Sequence, residues 1–304
     1  MLCFGFGFSR FGQFGSGAEV TRNLPVPVQG QGADTEKKSV LRAVPSWSYN
    51  ALLTDEGSLL LSGWVGGSPQ QLVRFPEVSC RDVLPSEKYL IVLMEERAEC
   101  WEVGSLDCAG TMPDAVWKKE LDDGHSTDFP LVSGGHVLPH TPFFKELPPT
   151  LQAQKMALGQ EHAVLLTSDG TVLTWGAGRH GQLGHGDVED VAEPRIVEAL
   201  QGVTMCEVGA GGWHSGSISE SGDLYCWGWN ESGQLGLPSK ASLPLPVLSG
   251  EGPAAGGEQD GEGEYIAIQS FPALIDLPQE SEAAKVSCGS RHTAAVTRKD
   301  LSVL

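Results

Sequence analysis

From Ala163 to Thr167 the chain is a short run of aliphatic and β-branched residues, and Thr171 to Trp175 is another. Between them stands a polar cluster, Ser168-Asp169-Gly170, which supplies a residue tolerant of positive φ. This alternation predicts a β-hairpin, and Gly181-Gln182-Leu183-Gly184 after it predicts a tight loop. The same pattern returns from Gly211 to Gly236, with Ser221-Gly222-Asp223 at the turn. His162 maps to His214, Gly170 to Gly222, Trp175 to Trp227 and Gly181 to Gly233, each pair 52 residues apart. A fixed period of that size marks a repeat architecture. One hairpin is marginal in water, so several must pack side by side, and small sheets arranged radially limit exposed edges.

Weaker copies extend the pattern. Phe6 to Gly15 lines up with Trp175 to Gly184, so the chain opens on the second half of a unit. Residues 18 to 39 read as a loop and a weak outer strand. A further unit starts at Ser46-Trp47-Ser48-Tyr49, with Tyr49 at the histidine position and Gly57 at the turn. A degenerate one follows, with Lys88 at the histidine position, Tyr89 to Met94 as a strand, Glu95-Glu96 at the turn and Trp101 matching Trp175. Residues 105 to 150 show no clear copy, although Gly134 to His140 has strand character and Asp122-Asp123-Gly124 has loop chemistry. Residues 249–264 are mostly Gly, Glu and Asp, with Pro253 and no Lys or Arg, which predicts a disordered acidic insert. Cys288-Gly289-Ser290-Arg291-His292 then restarts the unit, with Thr293 to Thr297 as its first strand and Asp300 at the turn. The two half-units at the ends are complementary, so the strand around Phe4 to Phe8 is expected to pair with Thr293 to Thr297 and close a ring.

Gly159-x-x-His162 before the hairpin, then Trp175-Gly176 and Gly181-Gln182-Leu183-Gly184, resembles the regulator of chromosome condensation repeat family. In that family each repeat supplies one blade of a propeller, usually of about seven blades. The resemblance therefore implies an all-β chain, one β-propeller domain over residues 1–304, of which five hairpin units are visible. It also implies a further Trp-Gly segment after the last strand, so the end at Asp300 to Leu304 reads as that of a shortened isoform.

Composition narrows the partners. The chain of 304 residues has 39 Gly and 19 Pro, suited to many turns, and a formal net charge of −19. Nucleic-acid binding needs clustered Lys and Arg, so a direct electrostatic hold on DNA or RNA is not expected. An acidic surface favours basic partners instead. Seven cysteines, an odd number without a Cys-x-x-Cys, point to a reducing compartment, cytosol or nucleus. The start Leu2 to Phe8 is broken by glycines and lacks a basic stretch, which argues against a signal peptide. No run of about 20 apolar residues could span a bilayer as a helix.

Gly176-Ala177-Gly178-Arg179-His180-Gly181 spells a dinucleotide fingerprint, but the residues after it are too rich in glycine to open the required helix. No cofactor is expected. His162, His214 and His292 recur at one repeat position, which predicts a shared structural task, a side chain hydrogen-bonded to backbone in each blade. Trp175, Trp227 and Trp101 read as packing residues, and Gly170 and Gly222 as turn residues. His180 and His185 lack further metal ligands, so no metal site is expected, and neither is a catalytic residue.

The residues that differ between copies are those free to specialise. Trp213 stands where other copies have Glu161 and Arg291, and Trp229 stands where Ala177 does. Tryptophan is a favoured interface anchor, and with Arg179 and His180 these residues form the candidate partner surface. Similarity to a short, acidic branch of the family rests on the Phe-Gly start, Gly211 to Leu235 and Cys288 to Ala294. It implies a nuclear, chromosomal scaffold that binds a Jumonji-C 2-oxoglutarate oxygenase acting on histones, with histone contact indirect. The alternative is a guanine nucleotide exchange factor for a small GTPase, as the founding member of the family is.

Overall fold

The computed structural model describes residues 4–8, 10–13, 21–27, 40–75, 78–107, 109–111, 113–121, 128–239, 265–298 and 301–303. Two compact units divide the chain, Met1–Pro148 and Pro149–Leu304. Both are built from antiparallel sheets joined by tight turns and a few single-turn 3-10 helices.

In the first unit β1 (Phe4–Phe8) pairs with β2 (Thr21–Pro27). A four-stranded sheet follows, made of β3 (Val40–Pro45), β4 (Tyr49–Thr54), β5 (Leu59–Val65) and β6 (Ser68–Phe75). The next has β7 (Asp82–Pro85), β8 (Tyr89–Leu93), β9 (Arg97–Glu102) and β10 (Trp117–Glu120). A small sheet of β11 (Leu131–Val132), β12 (Gly135–Val137) and β13 (Phe144–Glu146) ends the unit. In the second unit β14 (Ala153–Leu158), β15 (His162–Thr167), β16 (Val172–Gly176) and β17 (Val191–Ile196) form one sheet. The next contains β18 (Met205–Ala210), β19 (His214–Ser219), β20 (Leu224–Trp229) and β21 (Ile268–Ile275), and the last β22 (Ala283–Cys288), β23 (Thr293–Thr297) and β24 (Leu301–Val303). Within every sheet the strands lie in chain order.

The second strand of each four-stranded sheet is covered on both faces, which is why β15 reads as continuous aliphatic sequence and is buried throughout. The core lies between successive sheets. Val164, Leu166, Val172, Val197 and Leu200 of one meet Met205, Val208 and the fully buried Trp227 of the next. Ile218, Leu224 and Cys226 in turn meet Ala283, Val286 and Ala295. β19 is an exception in composition, because Ser215, Ser217 and Ser219 are buried there. Ser217 donates to the Glu207 carbonyl at 2.8 Å and Ser215 to the Gln182 carbonyl, so these hydroxyls do not lack partners. Free edges carry residues that resist pairing: Pro69 in β6, Pro194 in β17, Pro272 in β21, and Lys118 and Lys119 in β10.

The turn glycines also join sheets. The carbonyls of Gly57, Gly170 and Gly222 accept from the N–H of Cys80, Met205 and Ala283, near or at the start of the next sheet, at 2.7, 3.0 and 2.8 Å. Gly222 has φ +91, and a Cβ there would stand 2.6 Å from Glu282 Cβ; one on Gly170 (φ +81) would stand 2.5 Å from Thr204 Cγ2.

The all-β expectation and its hairpins hold, with corrections. The end-to-end pairing is not the one found: β1 pairs with β2, and β23 lies between β22 and β24. A return strand separated by twelve residues closes a far shorter loop than a partner at the other chain end, which lowers its entropic cost. In the degenerate unit Tyr89, not Lys88, takes the histidine position. Tyr89 pairs with Glu102 as His162 pairs with Gly176, over a turn one residue shorter. Residues 105 to 150, which showed no copy, contain β10 and a three-stranded sheet, so seven sheets stand among the described residues where five hairpin units were visible. The acidic segment 249–264, Asp122-Asp123-Gly124 and Asp300 lie outside the described residues.

Gly222→Ala should lower stability by about 2 kcal/mol, since it combines a left-handed backbone with a close approach. Gly202 has φ +87 but open space around it, so Gly202→Ala should cost only about 1 kcal/mol. Urea unfolding of both variants tests this, and equal midpoints would refute the packing role of Gly222.

Candidate functional site

At the strand ends opposite the turn glycines, the repeated histidine reaches into the next sheet. His162 Nε2 lies 2.8 Å from Ser215 Oγ, and Ser215 Oγ donates to the Gln182 carbonyl at 2.8 Å. One repeat later His214 Nε2 lies 2.9 Å from Thr293 Oγ1, which donates to the Gln234 carbonyl at 2.7 Å. Trp227 Nε1 also donates to the Gln182 carbonyl, at 2.9 Å. In the first unit Asn50 stands in for the hydroxyl residue and donates to the Gln13 carbonyl at 2.9 Å. The side chains of Gln13, Gln182 and Gln234 shape their own loops. Each Oε1 accepts the N–H two residues before it, from Phe11, His180 and Ser232.

A histidine beside a serine invites a catalytic reading, and proton bookkeeping rejects it. Ser215 spends its only proton on the Gln182 carbonyl, so His162 must present Nε2–H to the serine oxygen as a donor. A ring that donates to the hydroxyl cannot take its proton. Ser215 and Thr293 are also fully buried, out of reach of a substrate. Burial, assisted by the neighbouring His214, pushes His162 down to about 3, and burial brings His214 to about 4, so both rings are neutral. The histidine expectation is extended once and corrected once. Besides the main chain of the next repeat's histidine, each buried ring meets a hydroxyl in the adjacent sheet, and His292 is exposed, with no such hydroxyl partner among the described residues. Trp175 is buried, as a packing residue should be.

The fingerprint at Gly176 to Gly181 is filled by protein. A Cβ on Gly178 would stand 1.8 Å from the Glu189 carbonyl oxygen, and one on Gly181 2.9 Å from Ser270 Cα, so neighbouring chain occupies the space that a pyrophosphate would need. Among the described residues no group of His, Cys, Asp and Glu is arranged to hold a metal ion.

The candidate partner residues do come together. Trp213 and Trp229 meet edge to face with centroids 5.5 Å apart, and the His180 ring lies 5.8 Å from each. All three are half-buried. The frame fixes this geometry. Trp229 donates its main-chain N–H to the Trp213 carbonyl at 2.9 Å, and Gly228 (φ +112) makes the approach possible, since a Cβ there would stand 2.6 Å from that oxygen. The loop of the preceding sheet then lays His180 against both rings. Arg179 pairs with Glu161, which also accepts from Trp213 Nε1 at 3.2 Å. The Arg179 guanidinium, with the indole second, holds the Glu161 carboxyl below its usual range.

Two residues of this cluster escaped the sequence reading. In the sequence Glu161 is only an equivalent of Trp213, yet it anchors Arg179 and Trp213 together. Arg291, the other equivalent, lays its guanidinium 5.0 Å from the Trp229 ring centroid. The available signal was that one repeat position carries Glu, Trp and Arg in successive copies. The first unit repeats the contact in weaker form, with Phe11 and Trp64 at the positions of His180 and Trp229 and 6.2 Å apart.

Models of the regulator of chromosome condensation (RCC1) repeat match residues 169–218 and 221–254, and a second form of the repeat matches 153–182 and 206–234. The chain is 42% identical to human RCC1 domain-containing protein 1 over 322 residues, 97% of this chain and 82% of that protein. Among solved structures it resembles yeast RCC1 (Prp20) bound to Kap60, with a TM-score of 0.53 at 18% identity, over 98% of this chain and 64% of that one. It also resembles Prp20p from Saccharomyces cerevisiae, studied for its binding to Gsp1p and histones, with a TM-score of 0.52 at 18% identity, over 98% of this chain and 66% of that one. At that identity the likeness shows the fold, an RCC1-type β-propeller.

The buried histidines set a pH dependence. The unfolded chain takes up protons below the ordinary histidine value of 6.5, whereas the folded chain refuses them down to about 3 and 4. Stability is therefore full above pH 6.5 and falls as pH drops, by up to about 1.4 kcal/mol per pH unit for each histidine. Urea midpoints between pH 7 and 4.5 check this. His162→Gln should show a shallower fall than the wild type, and an unchanged slope would mean that His162 is not held neutral.

Proposed function

The chain belongs to the RCC1 repeat family, and from that premise we propose that it is a non-catalytic propeller scaffold whose task is to hold a protein partner at the Trp213–Trp229–His180 surface. The observation that carries this reading is the convergence on one spot of three half-buried rings at positions that vary between copies. Interface energy concentrates in such aromatic and arginine clusters. The frame itself offers no competing chemistry at its buried histidines, because His162 and His214 are neutral hydrogen-bond donors within the core.

On the partner's identity the support is resemblance alone. We propose the partner implied by the resemblance in the sequence, a Jumonji-C oxygenase directed at histones, with a nuclear, chromosomal role in chromatin regulation and chromosome segregation; likeness to human RCC1 domain-containing protein 1 supports the family alone. The net charge of −19 is in keeping with a scaffold that does not grip nucleic acid itself. The second reading, nucleotide exchange on a small GTPase, is supported by the fold shared with Prp20p, which was studied with Gsp1p.

The test compares proteins captured from nuclear extract by the wild-type chain and by Trp213→Ala combined with Trp229→Ala. Loss of two anchor residues should weaken capture by roughly tenfold or more, and added GDP or GTP should not matter. Identical capture by the two chains would sink the surface assignment. Accelerated GDP release from a panel of small GTPases would replace the scaffold by an exchange factor.

A further inference from the structure

The cations of this surface are not alike. Arg179 is neutralised where it stands, because Glu161 accepts from it and from the Trp213 indole together. Arg291 has no carboxylate partner among the described residues, and its contact there is the face of Trp229, 5.0 Å away. Stacking on an indole leaves the rim of a planar guanidinium, with its N–H donors, directed outward. The side chain is exposed and its position is held without using up its hydrogen-bonding capacity.

We propose that Arg291, stacked on Trp229 and adjoining the Trp213–His180 rings, is the anchor for a carboxylate of an acidic peptide segment in the partner. The proposal rests on the reading of this surface as the partner site and adds the partner's chemistry to it. Arg is the side chain best shaped for two parallel hydrogen bonds to a carboxylate, and an Arg already ordered by stacking loses less freedom on forming them. The rings beside it take the apolar side chains that flank the acid. A basic segment fits poorly, since Glu161 is already shared between Arg179 and Trp213 and Arg291 would repel it. The chain's overall negative charge disfavours acidic segments in general, so discrimination falls to this one spot.

Random dodecapeptides displayed on phage, selected on the wild-type chain and counter-selected on Trp213→Ala with Trp229→Ala, provide the test. The expected survivors carry Asp or Glu next to an apolar residue. Synthetic copies, followed by fluorescence anisotropy, should bind Arg291→Gln roughly tenfold to a hundredfold more weakly. Arg291→Lys, which keeps charge but loses the planar fork, should fall between. Thermal midpoints matching the wild type show that both variants are folded. Survivors rich in Lys or Arg, or acidic survivors indifferent to Arg291→Gln, would overturn the anchor and leave the aromatic surface standing. No enrichment over the counter-selected chain would overturn both.

Discussion

A hydroxyl shared between two sheets is the contact on which the second unit depends. Ser215 and Thr293 each sit between a histidine of the preceding repeat and a main-chain carbonyl of that repeat's glutamine loop. At the opposite strand ends the turn-glycine carbonyl is bonded to the start of the following sheet. Each sheet is thereby fastened to its successor at both ends, with the apolar residues of the core between the two fastenings. Both fastenings are fully desolvated or nearly so, which makes each lost partner costly. A hydrophobic filling tolerates sliding, whereas these directional bonds specify one register of sheet against sheet.

That constraint explains why the rest of the frame varies as it does. Trp227 fits because its indole N–H finds the same Gln182 carbonyl. Tyr49 replaces histidine in the first unit by sending its hydroxyl to the Ser86 carbonyl at 2.9 Å, a different reach to the same end. Asp82 links neighbouring elements there by other means, with an ion pair to Arg42 at 2.8 Å and an N–H from Phe129 at 2.9 Å. What needs conserving through the repeats is a bond across the seam, not the residue that makes it.

The second unit is the legible one because its two good copies keep one length, with equivalent residues 52 apart throughout. The first unit was harder for physical reasons. In the copy at Tyr89 a turn shortened by one residue moved the histidine position away from the one counted back from Trp101. The strands Leu131–Val132 and Gly135–Val137 are too short for any alternation to show. At the candidate site Trp213, Trp229, Arg179 and His180 were visible as departures from the repeat, yet Arg291 and Glu161 were not. Equivalence along the chain is a statement about sequence. In a stack of repeats it is also a statement about adjacency, because the same position in successive copies lies side by side.

The proline at the free edge of three sheets, Pro69, Pro194 and Pro272, has a consequence for recognition. An extended peptide that joins a sheet needs an unbroken row of main-chain donors and acceptors, and each of these prolines removes one donor. The lysines of β10 add charge along another such edge. Backbone templating, the least selective way for one chain to hold another, is discouraged along these edges. On the proposed reading, recognition falls to side chains at the strand ends, where a single altered residue can change the choice of partner without disturbing the scaffold that presents it.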